Sequence, residues 1–502
     1  MLKIATMSGA ALALGGRFAQ AQGAQTLRIG LSTYPPHLRP WVNIGYSGYL
    51  VGSLLNRTLI SYDEQGQLTS DLAESWQNET PETWRFTLRE AHFHDGSPVT
   101  AQDVEWTFEQ IRADGSGAYM YDAFRPITGF EVVDERNFRL TTDAPLATLP
   151  ALMTFPFLSI LKAGSTDSEE HGIGAGPYRI AYAEKGVSIE LEPNEHYYKP
   201  ELPTLAGIVI TPYVDESARV AALSAGDVDL IDYVPWSSMA SIESDPALAL
   251  HKVDAGAFMY LSFNGTGAFA DPRLRQAVAF GLRRNEFVES IFFGFGAEMT
   301  GLPRPAGSPF RHDDQAGFWN YDPERAKALL KDAGYEDGLT VSLLATSQYS
   351  MHRDTAVLVQ AQLAEIGITV NLTMPDWATR VNLGNQGAGD FAVQGIGLDN
   401  LDPDAVTTLV DPSLSPVFTR SRGFEAEGLS DLLAQGRAEM DEAKRVEIYR
   451  QVDQTVLDTT TFCGLCYRAT GFATRAGVED LAMLPDQLSP YSPVLFDRLK
   501  LA

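Results

Sequence analysis

The sequence predicts an α/β fold spread over more than one domain. Its 502 residues exceed what a single hydrophobic core usually organises. From about Tyr260 onward, short apolar runs alternate with segments whose apolar residues recur at helical spacing. That pattern is typical of strands and helices in a partly parallel sheet. The preceding half is dominated by apolar–polar alternation, the pattern of half-buried strands.

In the first half, strands are predicted where apolar residues alternate with polar ones. Leu27, Ile29 and Leu31 share one face of such a run. The sequence Thr100-Ala-Gln-Asp103 is a variant of the capping box that opens a helix. Strands are expected at 26–32, 59–62, 84–88, 138–142, 178–182, 187–191, 207–211 and 227–233. Helices are expected at 46–58, 100–111 and 217–225.

In the second half, Asp-Pro pairs mark helix starts. Asp is a preferred N-cap, and proline fits the first helical position because it lacks an N–H that would be unpaired there. Asp271-Pro272, Asp322-Pro323 and Asp402-Pro403 have this form. Helices are expected at 272–282, 285–293, 324–333, 354–366, 405–410 and 439–457, and strands at 339–345, 368–374 and 390–396.

Three acids follow the predicted strand 390–396. Asp402 is expected to cap the next helix, and Asp404 falls in its first turn, where the helix dipole favours a negative charge. Asp399 has no such local role. A carboxylate in a loop at the C-terminal end of a strand suits a cationic group of a ligand. Asp399 is therefore a candidate ligand-binding residue.

Composition narrows the classes of partner. A net charge of −27 argues against nucleic acid, because phosphate binding needs a basic surface. Self-repulsion of such an acidic surface keeps copies apart, and a monomer is expected. No run of about 18 apolar residues occurs, so no membrane-spanning helix is predicted.

The first 21 residues have the features of an export signal. Lys3 supplies a basic start, residues 4–16 form an apolar segment, and Ala19-Gln20-Ala21 matches the small-x-small cleavage pattern. No cysteine directly follows the apolar segment, which argues against a lipid anchor, and these first 21 residues contain no twin arginine. We expect 1–21 to be a signal peptide and the protein to be periplasmic.

The two cysteines, Cys463 and Cys466, form one Cys-x-x-Cys motif. A thioredoxin-type site would open a helix beside a βαβ pattern, whereas the flanks 459–462 and 467–472 predict strand. In an oxidising compartment the pair could form a local disulfide. In a flat strand, however, residues i and i+3 point to opposite faces. A disulfide, free structural thiols and a redox pair stay open, and a structural role is favoured.

No catalytic motif is found in the sequence. There is no Gly-x-Ser-x-Gly, no His-Glu-x-x-His and no phosphate loop. Nothing pairs a nucleophile with a base, so the hypothesis of a secreted hydrolase has little support. We predict neither catalysis nor a cofactor.

Several blocks, in one order along the chain, resemble a known family. That family is the family 5 solute-binding proteins of ABC importers, the dipeptide, oligopeptide and nickel-binding group. The blocks are Leu72–Trp76, Trp84–Glu90, Phe93–Val104, Gly174–Tyr178, Leu191–Asn194, Ala218–Asp229, Leu261–Asn264, Tyr321–Leu330 and Gln362–Val370.

The resemblance implies a periplasmic-binding-protein type II (cluster C) Venus-flytrap fold with two main lobes and an extra inserted lobe. Lobe I would comprise 25–58, 170–256 and 483–502, the inserted lobe II 59–169, and the α/β lobe III 257–482. The ligand would lie between lobes I and III. Hinge closure would trap it, and the closed form would dock on an ABC permease in the inner membrane.

The resemblance also implies ligand contacts. Asp399 aligns with the aspartate that pairs with the α-ammonium of a bound peptide, which fits a charge-assisted hydrogen bond. Tyr34, Tyr46 and Ser47 lie in the segment that lines the lobe I side of the cleft, and Trp377 is a wall candidate in lobe III.

Two differences from the family pattern leave the identity of the ligand undecided. The family's aromatic residue upstream of the aspartate is Ile396 here. Dipeptide binders also hold the ligand carboxylate with an arginine, near 345–347 in this chain, where none occurs; Arg353 is the nearest candidate. A longer peptide or another amine-bearing solute is therefore favoured over a strict dipeptide.

A metal chelate is the alternative ligand on the same fold. His92 and His94 would share one face of a strand, but the family uses 93–96 as a turn, and no metal site is predicted. The function expected is capture of peptides or related amine-bearing solutes for import, with a nickel or metal-chelate binder as the alternative.

Overall fold

The structure is a computed structural model of the chain. It describes residues 25–42, 46–63, 65–167, 171–304, 307–411, 413–414, 416–423, 426–481 and 496–502, without the side chains of 255 and 256. The predicted signal peptide 1–21 and most of the predicted lobe I segment 483–502 lie outside the described residues. No helix in the described ranges is long and apolar enough to cross a membrane.

The described strands and helices are as follows. The strands are β1 Thr26–Leu31, β2 Ile60–Tyr62, β3 Leu68–Ser70, β4 Ala73–Thr80, β5 Thr83–Leu88, β6 Ile127–Val132, β7 Asn137–Thr142, β8 Tyr178–Glu184, β9 Ser188–Pro193, β10 Gly207–Pro212, β11 Leu230–Ile231, β12 Leu248–Phe263, β13 Gly296–Glu298, β14 Leu339–Leu344, β15 Ile368–Thr373, β16 Phe391–Ile396, β17 Cys463–Arg475, β18 Val478–Glu479 and β19 Lys500–Leu501. The helices are α1 Tyr46–Leu55, α2 Ala101–Arg112, α3 Tyr121–Phe124, α4 Leu149–Leu152, α5 Glu216–Ala225, α6 Trp236–Ser244, α7 Pro272–Phe280, α8 Arg284–Ile291, α9 Pro323–Asp332, α10 Ser350–Ala364, α11 Trp377–Gln386, α12 Thr407–Val410, α13 Leu429–Ala438 and α14 Glu442–Thr459.

One large mixed sheet runs through the described chain in the order β15-β14-β16-β12-β17-β11-β1-β10-β9-β8, with β13 paired to β17. Towards one end, β14 pairs in parallel with β15 and β16. Towards the other, β1 pairs in parallel with β10 and β11. The antiparallel pair β12–β17 lies between the two groups. The α/β prediction is therefore confirmed.

Three hydrophobic cores lie against different parts of this framework. The small-sheet core surrounds the sheet β4-β5-β7-β6 and contains Phe86 and Phe138. The α1 core joins α1 to β1, β9 and β10 and contains Leu50 and Ile208. The α/β core, which includes Val359 of α10, packs α7, α8, α10 and α14 against β12, β14, β16 and β17. The residue boundaries given above for the lobes stay predictions.

Helix starts confirm the Asp-Pro prediction. A side-chain oxygen of Asp271, Asp322 and Asp402 accepts a backbone N–H of the next turn at 2.9 Å in each case. Asp402 opens a 3₁₀ turn, Pro403–Val406, which leads into α12. At α2, the Asp103 carboxylate accepts the backbone N–H of Thr100 at 2.9 Å. Local capping chemistry therefore sets these boundaries.

Other boundaries were predicted wrongly. Helix α8 begins at Arg284 rather than being capped by Asn285. Helix α14 begins only after Asp441, whose carboxylate accepts the Lys444 N–H at 3.1 Å. The strand expected at 227–233 is only two residues long, Leu230–Ile231.

The segment Gly174–Gly176 passes directly against the end of α1. The Gly176 N–H donates to the Leu55 carbonyl at 2.9 Å. A Cβ added at Gly176 would come within 2.5 Å of backbone atoms of Leu54 and Asn56. No side chain fits between two backbones at that distance, so glycine is required there.

We therefore expect Gly176→Ala to destabilise the protein by about 1–3 kcal/mol, because the backbone must move apart to admit the methyl group. Denaturant unfolding measures this change. Gly52→Ala is the matched control: Gly52 lies within α1 with open space at its Cβ position, and alanine there should leave stability unchanged or raise it by up to about 1 kcal/mol. Equal stability of the two variants would contradict the close-approach argument.

Candidate functional site

Asp399 lies in the loop between β16 and the 3₁₀ turn that precedes α12. The hydroxyl of Tyr119 donates to its Oδ1 at 3.1 Å, across 280 residues of sequence. The neighbouring Leu401 N–H is 3.3 Å from the hydroxyl of Tyr62 on β2. The loop that leaves the α/β core therefore meets residues from the side of the small-sheet core.

The ring of Tyr119 packs against two phenylalanines of the small-sheet core. Its ring stacks on Phe155, with centroids 5.7 Å apart, and meets Phe157 edge-on at 5.8 Å. Sequence reasoning missed this residue, since it follows a glycine-rich loop that carries no recognisable motif. Within the described residues, no hydrogen bond or ion pair joins Asp399 to the other predicted site residues.

The two remaining acids of the loop have structural partners. Asp402 forms an ion pair with Arg445 at 2.9 Å. Asp404 accepts the hydroxyl of Tyr449 at 2.9 Å and lies 3.3 Å from Arg437. Within the described residues, Asp399 alone of the three has no cationic partner.

Burial raises the pKa of Asp399 to about 6, and the hydrogen bond from Tyr119 only partly opposes that rise. The side chain keeps some access to solvent although protein surrounds most of it. An ionised carboxylate in such a place is under-stabilised until a cation reaches it.

Tyr46 and Tyr34 both pack against the α1 core. The ring of Tyr46 lies 6.1 Å from that of Tyr233 and 5.9 Å from that of Phe472. Burial raises the pKa of Tyr46 well above its ordinary value. Its hydroxyl therefore stays protonated at neutral pH.

Ser47, the next residue of α1, is buried. Its hydroxyl lies 3.0 Å from the hydroxyl of Thr33 and 3.4 Å from that of Ser32. Its predicted contact with a ligand stays a prediction.

A small pocket, of about 10 Å³, lies where the α1 core and the α/β core meet. We call it the interface pocket; its walls are Tyr46, Tyr233, Val234, Trp236, Ala469, Thr470 and Gly471. Tyr233 adopts a positive φ of 45°, which is rare outside glycine, and this conformation carries its ring to the pocket. The sequence offered no signal for Tyr233 beyond its aromatic character.

Trp377, the first residue of α11, is the centre of an aromatic cluster. Its ring meets Tyr349, His352 and Phe418 edge-on, at centroid distances of 5.3, 5.7 and 5.9 Å. The Arg380 guanidinium lies 5.2 Å from the ring centroid. The wall position predicted for Trp377 stays a prediction.

Arg353 lies outside this cluster. It is exposed, and its Nε donates to the Asp354 carboxylate at 2.8 Å. The structure therefore gives Arg353 a partner on its own helix, and its predicted contact with a ligand carboxylate stays untested.

Cys463 and Cys466 lie within β17, fully buried, and their thiols are free in the structure. Of the possibilities left open by the sequence, the structure has the free thiols. Burial raises the pKa of Cys463 to about 11 and of Cys466 to about 12. Neutral thiols of this kind are poor nucleophiles, which favours the structural role over the redox one. No group of three metal-binding side chains occurs in the part of the chain that is described.

Comparison with known proteins identifies relatives. The family model of bacterial extracellular solute-binding proteins, family 5 (middle region), matches residues 67–413. The glutathione-binding protein GsiB of Escherichia coli is 23% identical over 445 residues, which cover 85% of this chain and 86% of that protein.

Solved structures give the same family relation. The chain is 33% identical to the periplasmic binding protein AgaA of A. tumefaciens R10, solved with agropinic acid; the match covers 95% of this chain and 99% of AgaA with a TM-score of 0.87. The Helicobacter pylori protein DppA, solved with the peptide STSA, is 23% identical with a TM-score of 0.80, over 95% and 98% of the two chains. The type II fold expected above is confirmed.

Because the pKa of Asp399 is raised, the free energy of unfolding should depend on pH. Its folded pKa, about 6, exceeds the unfolded value near 4, so the native state holds the proton more tightly and loses stability as pH rises from 4 to 6. Without ligand, Asp399→Asn should therefore be more stable than the native protein above pH 6, by about 1–3 kcal/mol after allowance for solvent contact.

Below pH 4 the two proteins should be equally stable, because both carboxyl and amide are then neutral. Urea unfolding between pH 4 and 8 tests this. A difference that does not change with pH would show that Asp399 is not a desolvated carboxylate.

Proposed function

Because the chain belongs to the bacterial extracellular solute-binding proteins of family 5, we propose that it captures peptides or related amine-bearing solutes and delivers them to an ABC permease in the inner membrane. Binding and release are the whole function, and no bond of the solute is made or broken. The protein acts in the periplasm after removal of residues 1–21, as a monomer.

Asp399 carries this proposal. It is a carboxylate at the end of β16, its pKa is raised by burial, and no cation neutralises it within the described chain. An ammonium group would supply a charge-assisted hydrogen bond and would relieve the cost of ionising Asp399. The hydroxyl of Tyr119 would hold the carboxylate in place from the opposite side.

The remaining contacts belong to the same proposal. Tyr34, Tyr46 and Trp377 would form aromatic walls of the cleft, since large amphipathic rings suit variable solutes. Ser47 would support the Tyr46 side from behind, because its hydroxyl already contacts Thr33. Arg353 would reach a solute only by leaving Asp354. Lobe I would comprise 25–58, 170–256 and 483–502, lobe II 59–169 and lobe III 257–482.

The relatives suggest which solutes to test first. Agropinic acid is bound by AgaA, glutathione gives GsiB its name, and DppA was solved with a tetrapeptide. All three are small organic acids, and the last two carry a free amine. A nickel–histidine complex, the ligand of NikZ from Campylobacter jejuni, represents the metal-chelate alternative.

Isothermal titration at pH 7 with these solutes tests the proposal. We expect one-to-one binding of an amine-bearing solute with no continuing heat of turnover. Asp399→Asn should weaken that binding roughly tenfold or more, since a charged hydrogen bond is lost while the acceptor for Tyr119 is kept. The native protein should also lose affinity as pH falls below about 6, where Asp399 becomes protonated.

Asp313→Asn is the control, because Asp313 is an almost fully exposed acid and its change should leave affinity intact. Unchanged binding by Asp399→Asn would refute the anchor. Formation of a reaction product would refute the non-catalytic function, and binding of the nickel complex alone would favour the metal-chelate alternative.

A further inference from the structure

A cavity of about 340 Å³ lies between the end of α1, the hairpin β2–β3 and the segment 154–159. We call it the hairpin cavity. Its volume falls within the range of small-molecule sites, roughly 300–1,000 Å³. Tyr62, in its wall, contacts the Asp399 loop through a hydroxyl 3.3 Å from the Leu401 nitrogen. The described wall contains none of the residues predicted to bind the solute, so the hairpin cavity is separate from the site proposed for the solute.

The charges around the hairpin cavity balance one another. Its described wall carries three cations and two carboxylates: Arg57, Lys199, Arg498, Asp63 and Asp71. Asp497 supplies a third carboxylate, which is fully buried and accepts hydrogen bonds from the Lys199 Nζ at 2.9 Å and the Arg57 Nη2 at 3.4 Å. Although burial opposes the change, these two cations lower the pKa of Asp497 to about 2, so it is ionised. An ionic ligand would therefore find no excess of either charge.

Arg57 has no hydrogen left for a ligand. Its Nη1 donates to two backbone carbonyls at the end of α1, at 2.6 and 2.9 Å. Its Nε and Nη2 donate to the Tyr197 hydroxyl at 3.0 and 2.7 Å. With Asp497 as the second acceptor of Nη2, all five N–H groups of the guanidinium have partners within the chain.

Two donors of the wall do have hydrogens left for a ligand. Asn56 is 3% exposed, and its Nδ2 has no acceptor among the described residues. A buried amide N–H without an acceptor is costly, which points to an acceptor from outside the chain. The Lys199 ammonium carries three hydrogens, and one of them goes to Asp497.

Hydroxyl groups make up much of the remaining wall, since nine of its seventeen described residues carry one. Three of them donate their hydrogen to a backbone carbonyl, at 2.8, 2.7 and 2.6 Å: Ser53, Thr58 and Ser159. A hydroxyl has one hydrogen and two lone pairs, so these three oxygens can only accept from a ligand. The wall thus offers donors and acceptors without net charge. A ligand hydroxyl suits such a wall, because it donates and accepts at once.

We propose that the hairpin cavity is a second binding site, which takes a small neutral polyol of the size of a monosaccharide or disaccharide. Asn56 and Lys199 would donate to its oxygens, and the hydroxyl oxygens of Ser53 and Thr58 would accept its O–H groups. The inference does not depend on the proposed function. The two ligands differ in chemistry: a charged amine suits the unpaired carboxylate of Asp399, whereas the balanced wall of the hairpin cavity favours an uncharged molecule.

Isothermal titration at pH 7 with sorbitol, glucose and sucrose tests this. We expect one-to-one binding of at least one of them, with a Kd below about 1 mM. Ser61→Trp should weaken that binding roughly tenfold or more, because the added ring fills the cavity that Ser61 lines. Leu68→Trp is the matched control: Leu68, on the paired strand β3, is 39% exposed and lies outside the described wall, so affinity should be unchanged. Lys199→Met should weaken binding roughly threefold to tenfold, since one donor is lost while Asp497 keeps Arg57.

Each outcome decides the inference. Binding of none of the three probes by the native protein overturns it whether or not any variant folds. Native affinity in Ser61→Trp, with native circular dichroism, also overturns it; if that variant does not fold, unchanged affinity in Lys199→Met does so. Asp399→Asn should bind the polyol as the native protein does, and loss of binding there would place the polyol with the solute and overturn the second site. None of these results alters the proposed capture of amine-bearing solutes.

Discussion

The long antiparallel pairing of β12 with β17 is the constraint on which the site depends. It runs from Leu248 opposite Arg475 to Leu261 opposite Cys463 and joins two groups of parallel strands into one sheet. Because β12 also pairs with β16, it sets where β16 ends and where the Asp399 loop leaves the sheet. A shift of one residue in the pairing of β12 with β16 would turn the side chains of β16 to the opposite face of the sheet.

Asp399 is a carboxylate that no cation neutralises within the described chain. It meets a tyrosine hydroxyl, which supplies no positive charge. Pairing it internally with a cation would stabilise the empty protein but would leave nothing to recognise an amine. A buried charge interacts more strongly with an oppositely charged group of a solute than an exposed charge does, because the surrounding protein screens the interaction less than water does.

Sequence patterns predicted the features that depend on neighbouring residues in the chain, such as the starts of helices. The Asp-Pro pairs at Asp271, Asp322 and Asp402 start helices because a cap needs only its own next turn, and the ordered family blocks led to the type II fold. Tyr119 could not be found in this way, since its partner Asp399 lies 280 residues away. The alternation of β12 was also obscured, because two register shifts interrupt its pairing with β17.

Native mass spectrometry of the freshly purified protein tests the central claim most directly, because it weighs whatever solute the protein retains. The account predicts one small solute per chain, released on denaturation, with a free amine. A retained metal complex, a neutral sugar or any other solute without an amine would contradict it.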